Sequence, residues 1–535
     1  MNPKPLPARP DLEQYKKQAK ELLKAYRAAD AETIRRVKTN HPRFEKLSEP
    51  GFAISKFALA DAQLVIAREH GFESWPKFAR RVEALANANS IPSLENPTAA
   101  FIEAAVWFGT LERAEQILAA YPQIAQGSIH VAAILGDDTT VRRFIARDRA
   151  NATAKAPPFD GDALIYLCLS KYLRLDKKRS DAFLRAATAL LDAGADPNTG
   201  FTAKDEYGDF ESALYGAAAV AQHAELTRLL LQRGADPNDV ETPYHSPESY
   251  DNSALHVLVE SGKLTADSLT TMLLRKADNH DYHGMKYLLQ HGADPNRMTR
   301  WHYTALQQAL RRDNSIDLLD LLLDHGADPT LPNESDGRTG IEMAGRRGRS
   351  DALSSFSRRG ITVELTTVAR AIAACTQDQP AVLRSLIDSA ADGRNLRQLL
   401  LADGNTLLPE FAGNNNANGV RTLLDLGVPV DARYNGDPYF DIAKESTALH
   451  VAAWKAWPAI VQLLIERGAS INIEDAKGRT PLMLAVKACV DSYWTNRRSP
   501  ESVAALLRAG ATTAGIELPT GYSEIDELLQ AHKNA

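Results

Sequence analysis

The stretch LLQHGADPN, Leu288–Asn296, is spelled almost identically at three other places: LLDAGADPN ending at Asn198, LLQRGADPN ending at Asn238 and LLDHGADPT ending at Thr330. Paired leucines close an amphipathic helix, and the glycine just past its last turn takes φ > 0 at little cost because it has no Cβ. Asp-Pro-Asn then turns the chain, since proline cannot continue a helix and Asp and Asn bond to nearby backbone. A second helix is announced by SALYGA at Ser212, SALHVL at Ser253, TALQQA at Thr304, TGIEMA at Thr339, TALHVA at Thr447 and TPLMLA at Thr480. Ser or Thr stands first because its hydroxyl accepts from the open N–H groups of a first turn.

At 535 residues the chain exceeds one ordinary core, and the echoes favour an array that grows in one direction. The step from Thr304 to Thr339 is 35 residues and from Thr447 to Thr480 it is 33. That period and the TPLHxA-like word resemble the ankyrin-repeat family. The resemblance runs from residue 98 to residue 515. Two early copies, Phe101–Leu118 and Ile129–Ile145, lack the GAD turn, and worn turns at SRRGITVE and LIDSAADG fill the 101 residues between Gly326 and Gly427. It implies an all-α ankyrin-repeat solenoid of about ten helix-turn-helix units with turn or hairpin tips, each unit closing its apolar face on its neighbour. The domains are then a basic N-terminal helical segment, residues 1–92, and the solenoid, residues 93–535. The chain is also similar to large bacterial ankyrin-repeat proteins of unassigned activity. In that family the imidazole at the fourth position of the TPLH word, here His256 and His450, ties neighbouring turns together.

Hydrophobic residues at 44% and charged residues at 24% exclude global disorder, and no run reaches the roughly 18 apolar residues of a membrane span. Cys168, Cys375 and Cys489 are far apart and form no CxxC, which excludes a disulfide framework or zinc knuckle and suits a reducing cytoplasm. Residues 1–90 hold 17 Lys and Arg against 11 Asp and Glu, whereas the remainder holds 45 against 57. A polar helical cap over the first repeat explains the basic segment, with a docking module as the alternative. Leu22, Leu23, Tyr26 and Trp75 are expected to pack near Phe101. No nucleic-acid-binding module is visible and the whole chain is acidic, so no nucleic-acid or membrane partner is expected.

No phosphate loop, dinucleotide fingerprint or nucleophile elbow is present, so no catalytic residue, metal or cofactor is expected. The nearest thing to a metal motif, Asp278, His280, Asp281 and His283 in DNHDYHG, reads as a polar inter-helix loop. Binding residues are instead those the repeat does not require. The long tips TGFTAKDEYGDFES, DVETPYHSPESYDN and DARYNGDPYFDIAKES carry Phe201, Tyr207, Phe210, Tyr244, Tyr250, Tyr434, Tyr439 and Phe440, and RMTRWHY adds Trp301 and Tyr303. Arg311 and Arg312 recur in phase at Arg346 and Arg347, and the same phase later holds Trp454 and Lys455.

In ankyrin stacks that phase faces the concave side, which implies a non-enzymatic interaction scaffold holding an acidic protein partner. The expected partner-binding set is Trp301, Tyr303, Arg311, Arg312, Arg346, Arg347, Trp454, Lys455, Tyr244, Tyr250, Tyr439 and Phe440. The rival readings are a small-molecule or enzyme pocket closed by the aromatic tips, and a module regulating an operon-encoded enzyme or toxin.

Overall fold

The structure, a computed structural model, describes residues 4, 6, 12–41, 44, 57–72, 75, 78, 79, 81, 82, 94–175, 179–203, 208–389, 393–492 and 494–534. It divides into two compact units, Met1–Ser268 and Leu269–Ala535.

The first unit begins with α1 (Leu12–Arg27), α2 (Ala31–Asn40) and α3 (Leu59–Glu69). Tyr15, Leu22, Phe44, Val65, Ile66 and Phe78 are buried among them, with Leu23, Tyr26 and Trp75 packed against that cluster. The apolar side chains expected to reach the repeat near Phe101 therefore close a core within their own segment. The physical reason is aromatic content: Tyr26 stacks on Phe57 at 4.2 Å and Tyr15 meets Phe78 edge-on at 4.9 Å, so the amphipathic helices satisfy one another. Phe101 lies instead against Tyr172, at 6.4 Å.

Helix pairs follow: α4 (Pro97–Ala105) with α5 (Leu111–Ala120), α6 (Ile129–Ile134) with α7 (Asp138–Arg147), and α8 (Ala163–Cys168) with α9 (Ser180–Asp192). The next tip is a hairpin of β1 (Gly200–Thr202) and β2 (Phe210–Ser212), antiparallel with Phe201 opposite Glu211. Tyr207 lies outside the described residues. Then come α10 (Ala224–Gln232), α11 (Ser253–Glu260) and α12 (Ala266–Asp278), which contains the boundary between the units.

The second unit continues with α13 (Tyr282–Gln290), α14 (Ala305–Arg311), α15 (Ile316–Asp324), α16 (Gly340–Arg346) and α17 (Ser350–Arg358). The worn region holds α18 (Thr367–Thr376), α19 (Pro380–Ser389), α20 (Gly393–Ala402), α21 (Gly404–Gly413) and α22 (Ala417–Leu426). Helices alternate there with short connections over the described length, as degenerate repeats require. α23 (Ala448–Trp454), α24 (Pro458–Glu466), α25 (Pro481–Val490), α26 (Glu501–Arg508) and α27 (Ser523–Asn534) complete the unit. The hairpin in the first unit is the only sheet among the described residues.

The repeated nine residues have a precise division of labour. Gly194, Gly234, Gly292 and Gly326 are all left-handed, with φ from 87° to 105°. Asp294 Oδ1 accepts from the Asn296 N–H at 2.9 Å, closing a local turn. Asn296 reaches forward: its Nδ2 donates to Gly326 O at 2.7 Å and its Oδ1 accepts from the Asp328 N–H at 2.7 Å. Asn198 makes the same two bonds to Gly234 and Asp236, and Asn472 to Gly510 and Thr512. The asparagine is thus an inter-repeat clamp. His450 is another: its Nδ1 accepts from the Thr447 N–H at 3.1 Å, and its Nε2 meets Arg479 O at 3.0 Å.

Candidate functional site

The C-terminal ends of the inner helices bring charge together in the second unit. Asp278 closes α12; its Oδ1 accepts from Gln308 Nε2 and from Arg312 Nε at 2.7 Å, and its Oδ2 from Arg275. Arg311 and Arg312 follow from α14, where cations favour the negative end of a helix. Asp313 next adopts φ +51°, a conformation that Asp tolerates better than most residues. Its carboxylate, 7% exposed, receives Arg347 Nε at 2.8 Å and the Lys455 ammonium. Burial would push the Asp313 carboxyl up, but Arg347 and Lys455 overcome it and hold the group well below the usual carboxylate range. Arg347 also reaches Glu410 at 3.4 Å, and Glu410 accepts from the Tyr434 hydroxyl at 2.7 Å.

The tip DARYNGDPYFDIAKES lies across this cluster. The Tyr439 hydroxyl donates to Asp278 O at 2.5 Å, 161 residues away in sequence. Arg312 sits 3.5 Å over the Tyr439 ring, and Lys455 4.0 Å over Phe440. Trp454 donates its indole N–H to Phe440 O at 2.6 Å. Asp441, left-handed at φ +54°, collects Lys477, Arg479 and Lys487.

These contacts sort the expected partner-binding set. Trp454, Lys455 and Phe440 are buried, at 4%, 3% and 3% exposed, and Arg312, Arg347 and Tyr439 are engaged by groups of this chain. The basic patch expected from Arg311, Arg312, Arg346 and Arg347 is therefore largely charge-balanced. Sequence phase picks out the arginines but does not disclose Asp278, Asp313, Asp403 and Glu410, which pair with three of them. Arg346 pairs at 3.0 Å with Asp403, whose side chain is 41% exposed. Arg311 differs: its Nη1 donates to the neutral Gln308 Oε1 at 2.8 Å, and its guanidinium lies 4.0 Å over the Tyr303 ring. Trp301 is half-buried beneath Arg300, at 4.4 Å. In the first unit Tyr244 is half-buried edge-on to His245, and Tyr250 is 72% exposed.

The DNHDYHG stretch joins α12 to α13. Asp281 caps α13, accepting from the Gly284 N–H at 2.9 Å, and takes the fully buried Lys276 ammonium at 2.7 Å. No group of three or more His, Cys, Asp or Glu among the described residues is arranged to hold a metal ion. No described helix is long and apolar enough to cross a membrane.

Comparison with known proteins agrees with the stacked, asparagine-clamped pairs. Residues 371–475 and 433–513 match the family described as Ankyrin repeats (3 copies), and residues 209–241 and 301–334 match Ankyrin repeat. The chain carries ankyrin repeats. Among relatives, a putative ankyrin repeat protein of Rickettsia bellii is 31% identical over 124 residues, covering 20% of this chain and 48% of that protein. Rabankyrin-5 of Mus musculus is 34% identical over 85 residues, covering 15% of this chain and 7% of its own length. Each alignment thus spans less than half of the relative. Among solved structures, the human ASB11 ankyrin repeat domain is 21% identical, with a TM-score of 0.21, over 45% of this chain and 99% of that domain. Trp301, Tyr303 and Arg311 fall inside the ankyrin match at 301–334, whereas Arg346 and Arg347 fall between matches. Ankyrin repeats are in general protein–protein interaction modules.

Proposed function

We propose that this ankyrin-repeat chain is a protein-binding scaffold with no chemistry of its own, and that an acidic segment of its partner engages the second unit at Arg311, Arg346, Trp301 and Tyr303. The observation that carries this reading is Arg311. Burial is the largest effect and disfavours its charge, Arg312 and Arg347 add to that while Tyr303 and Asp278 oppose it, and among the described residues no carboxylate lies within ion-pair reach of it. A partner carboxylate would supply the missing bidentate acceptor in a partly desolvated setting, where such pairing is strong. Arg346 can join it because its present partner, Asp403, has a side chain 41% open to solvent, so the pairing is screened and exchangeable. Arg312, Arg347, Trp454, Lys455, Tyr439 and Phe440 are left out of the contact surface, being engaged within the chain. Tyr244 and Tyr250 remain candidate contacts on the first unit. The non-enzymatic reading is supported by the thiols, whose ionisation is pushed up by burial, to about 12 for Cys375, so they are poor nucleophiles near neutral pH.

The test is to recover the partner with the full chain and titrate it against wild type and Arg311→Glu/Arg346→Glu. Lost pairing plus new repulsion should weaken binding by about 2–4 kcal/mol without altering thermal stability much. Equal affinities would retire this site.

A further inference from the structure

The tip Tyr434–Ser446 is a hairpin whose two sides bond to each other. The Tyr434 N–H donates to Ser446 O at 2.8 Å and the Glu445 N–H to Tyr434 O at 2.8 Å, while Asp437 and Ile442 exchange bonds of 2.9 and 3.0 Å. Gly436, at φ +84°, allows the sides to close, since a Cβ there would stand 2.6 Å from Ile442 O. Phe440 and Ile442 are buried in one cluster with Trp454 of α23 and Leu484 of α25, which anchors the hairpin to the repeats that follow it. Its bond back to α12 and its ring contact at the end of α14 both come from Tyr439. That side chain, half-buried, donates its hydroxyl to Asp278 O at 2.5 Å and sets its ring against the Arg312 guanidinium at 3.5 Å.

A hydrogen bond and a cation–π contact are each modest in net terms, so Tyr439 can let go where a paired strand could not. Release breaks no bond within the hairpin. The Lys455–Asp313 ion pair joins the same distant repeats without the hairpin, so they stay together when Tyr439 leaves. What the ring covers is a cation used only in part. Arg312, its side chain 17% exposed, donates from Nε to Asp278 Oδ1 at 2.7 Å, an oxygen that also accepts from Gln308. Among the described residues neither terminal nitrogen of Arg312 makes a hydrogen bond. Arg312 also follows Arg311 directly in the chain.

We infer that the hairpin Tyr434–Ser446 is an autoinhibitory strap: Tyr439 shields Arg312 in the closed chain, and its release adds the two terminal nitrogens of Arg312 to Arg311 as a socket for acidic groups of a partner. The binding half of this inference rests on the acidic partner proposed above; the strap itself is measured without one. In the full chain, phenylglyoxal labelling read by mass spectrometry should modify Arg312 severalfold faster in Tyr439→Ala than in wild type, with Tyr439→Phe, which keeps the ring, between them. Hydrogen exchange should find the Tyr434, Asp437, Ile442 and Glu445 amides as protected as in wild type. A nine-residue oligo-glutamate peptide, followed by calorimetry, should bind Tyr439→Ala about tenfold more tightly than wild type, and adding Arg312→Gln should cancel the gain. The inference is overturned if Arg312 labels at the wild-type rate in Tyr439→Ala, if the hairpin amides lose their protection, or if the peptide binds that variant no more tightly. Peptide binding by wild type that Arg311→Glu/Arg346→Glu leaves unchanged would instead retire the Arg311 site while the strap stands.

Discussion

Replacing Asp313 with Asn tests whether the charge cluster holds the second unit together. Asn keeps the volume and tolerates the left-handed backbone at φ +51°, so the change removes a charge and little else. Lys455, 3% exposed, is left with aromatic rings and a neutral amide in place of its carboxylate, and Arg347, 14% exposed, keeps Glu410 at 3.4 Å. Removing one partner of a buried pair costs about 3–5 kcal/mol, and Glu410's compensation places the expected loss near the bottom of that range. Adding Lys455→Met should return much of it, because no uncompensated ammonium then remains. Acid supplies a second arm. The Asp313 carboxyl is depressed in the folded state, so its contribution is present above the unfolded value of about 3.9 and is lost as pH falls below it. The gap between wild type and Asp313→Asn should therefore persist at pH 5 and narrow below pH 4. Urea unfolding followed by tryptophan fluorescence measures each quantity. A loss under about 1 kcal/mol, or a double variant no better than the sum of the singles, would refute the reasoning.

Three further outcomes follow from the packing. Asn296→Ala removes both bonds to the next repeat and should cost about 1–2 kcal/mol in urea melts, since each is a modest net hydrogen bond in an exposed setting. Burial pushes the His450 imidazole down to about 4, so the unfolded chain binds its proton first as pH falls. Stability from this group is complete above about pH 6.5 and should be about 2 kcal/mol lower at pH 5, a decline that His450→Gln would remove from otherwise matched melts. Gly348→Ala places a Cβ 2.7 Å from Phe411 at φ +71°, whereas Gly468→Ala, at φ +81°, meets open space. Melts should show a loss of about 1–2 kcal/mol for Gly468→Ala, from the backbone alone, and a clearly larger one for Gly348→Ala.

Much of the architecture is local and hence legible in the sequence. Helix ends, left-handed glycines and Asp-centred turns depend on contacts within a few residues, so LLQHGADPN predicts the turn wherever it recurs, and Thr304 with Gln307 caps its helix as the residue types require. Worn repeats between Gly326 and Gly427 are legible for the same reason, because helical periodicity survives the loss of the GAD word.

What the sequence cannot supply is the identity of neighbours brought from other repeats. Asn296 reads as a turn residue and is also a clamp on Gly326; Arg347 reads as a partner-facing cation and is neutralised by Asp313 and Glu410. Tyr439 reads as an exposed tip aromatic, yet its hydroxyl donates to Asp278 O, 161 residues earlier. Trp107 gives no signal at all, since nothing in FIEAAVWFGT says that α4 will stop at Ala105 and set the indole against Phe201 and Tyr215. In each case a side chain's fate depends on desolvation and charge pairing with residues distant in sequence. Those terms are set by how the repeats stack, and a single repeat's residue pattern does not contain them.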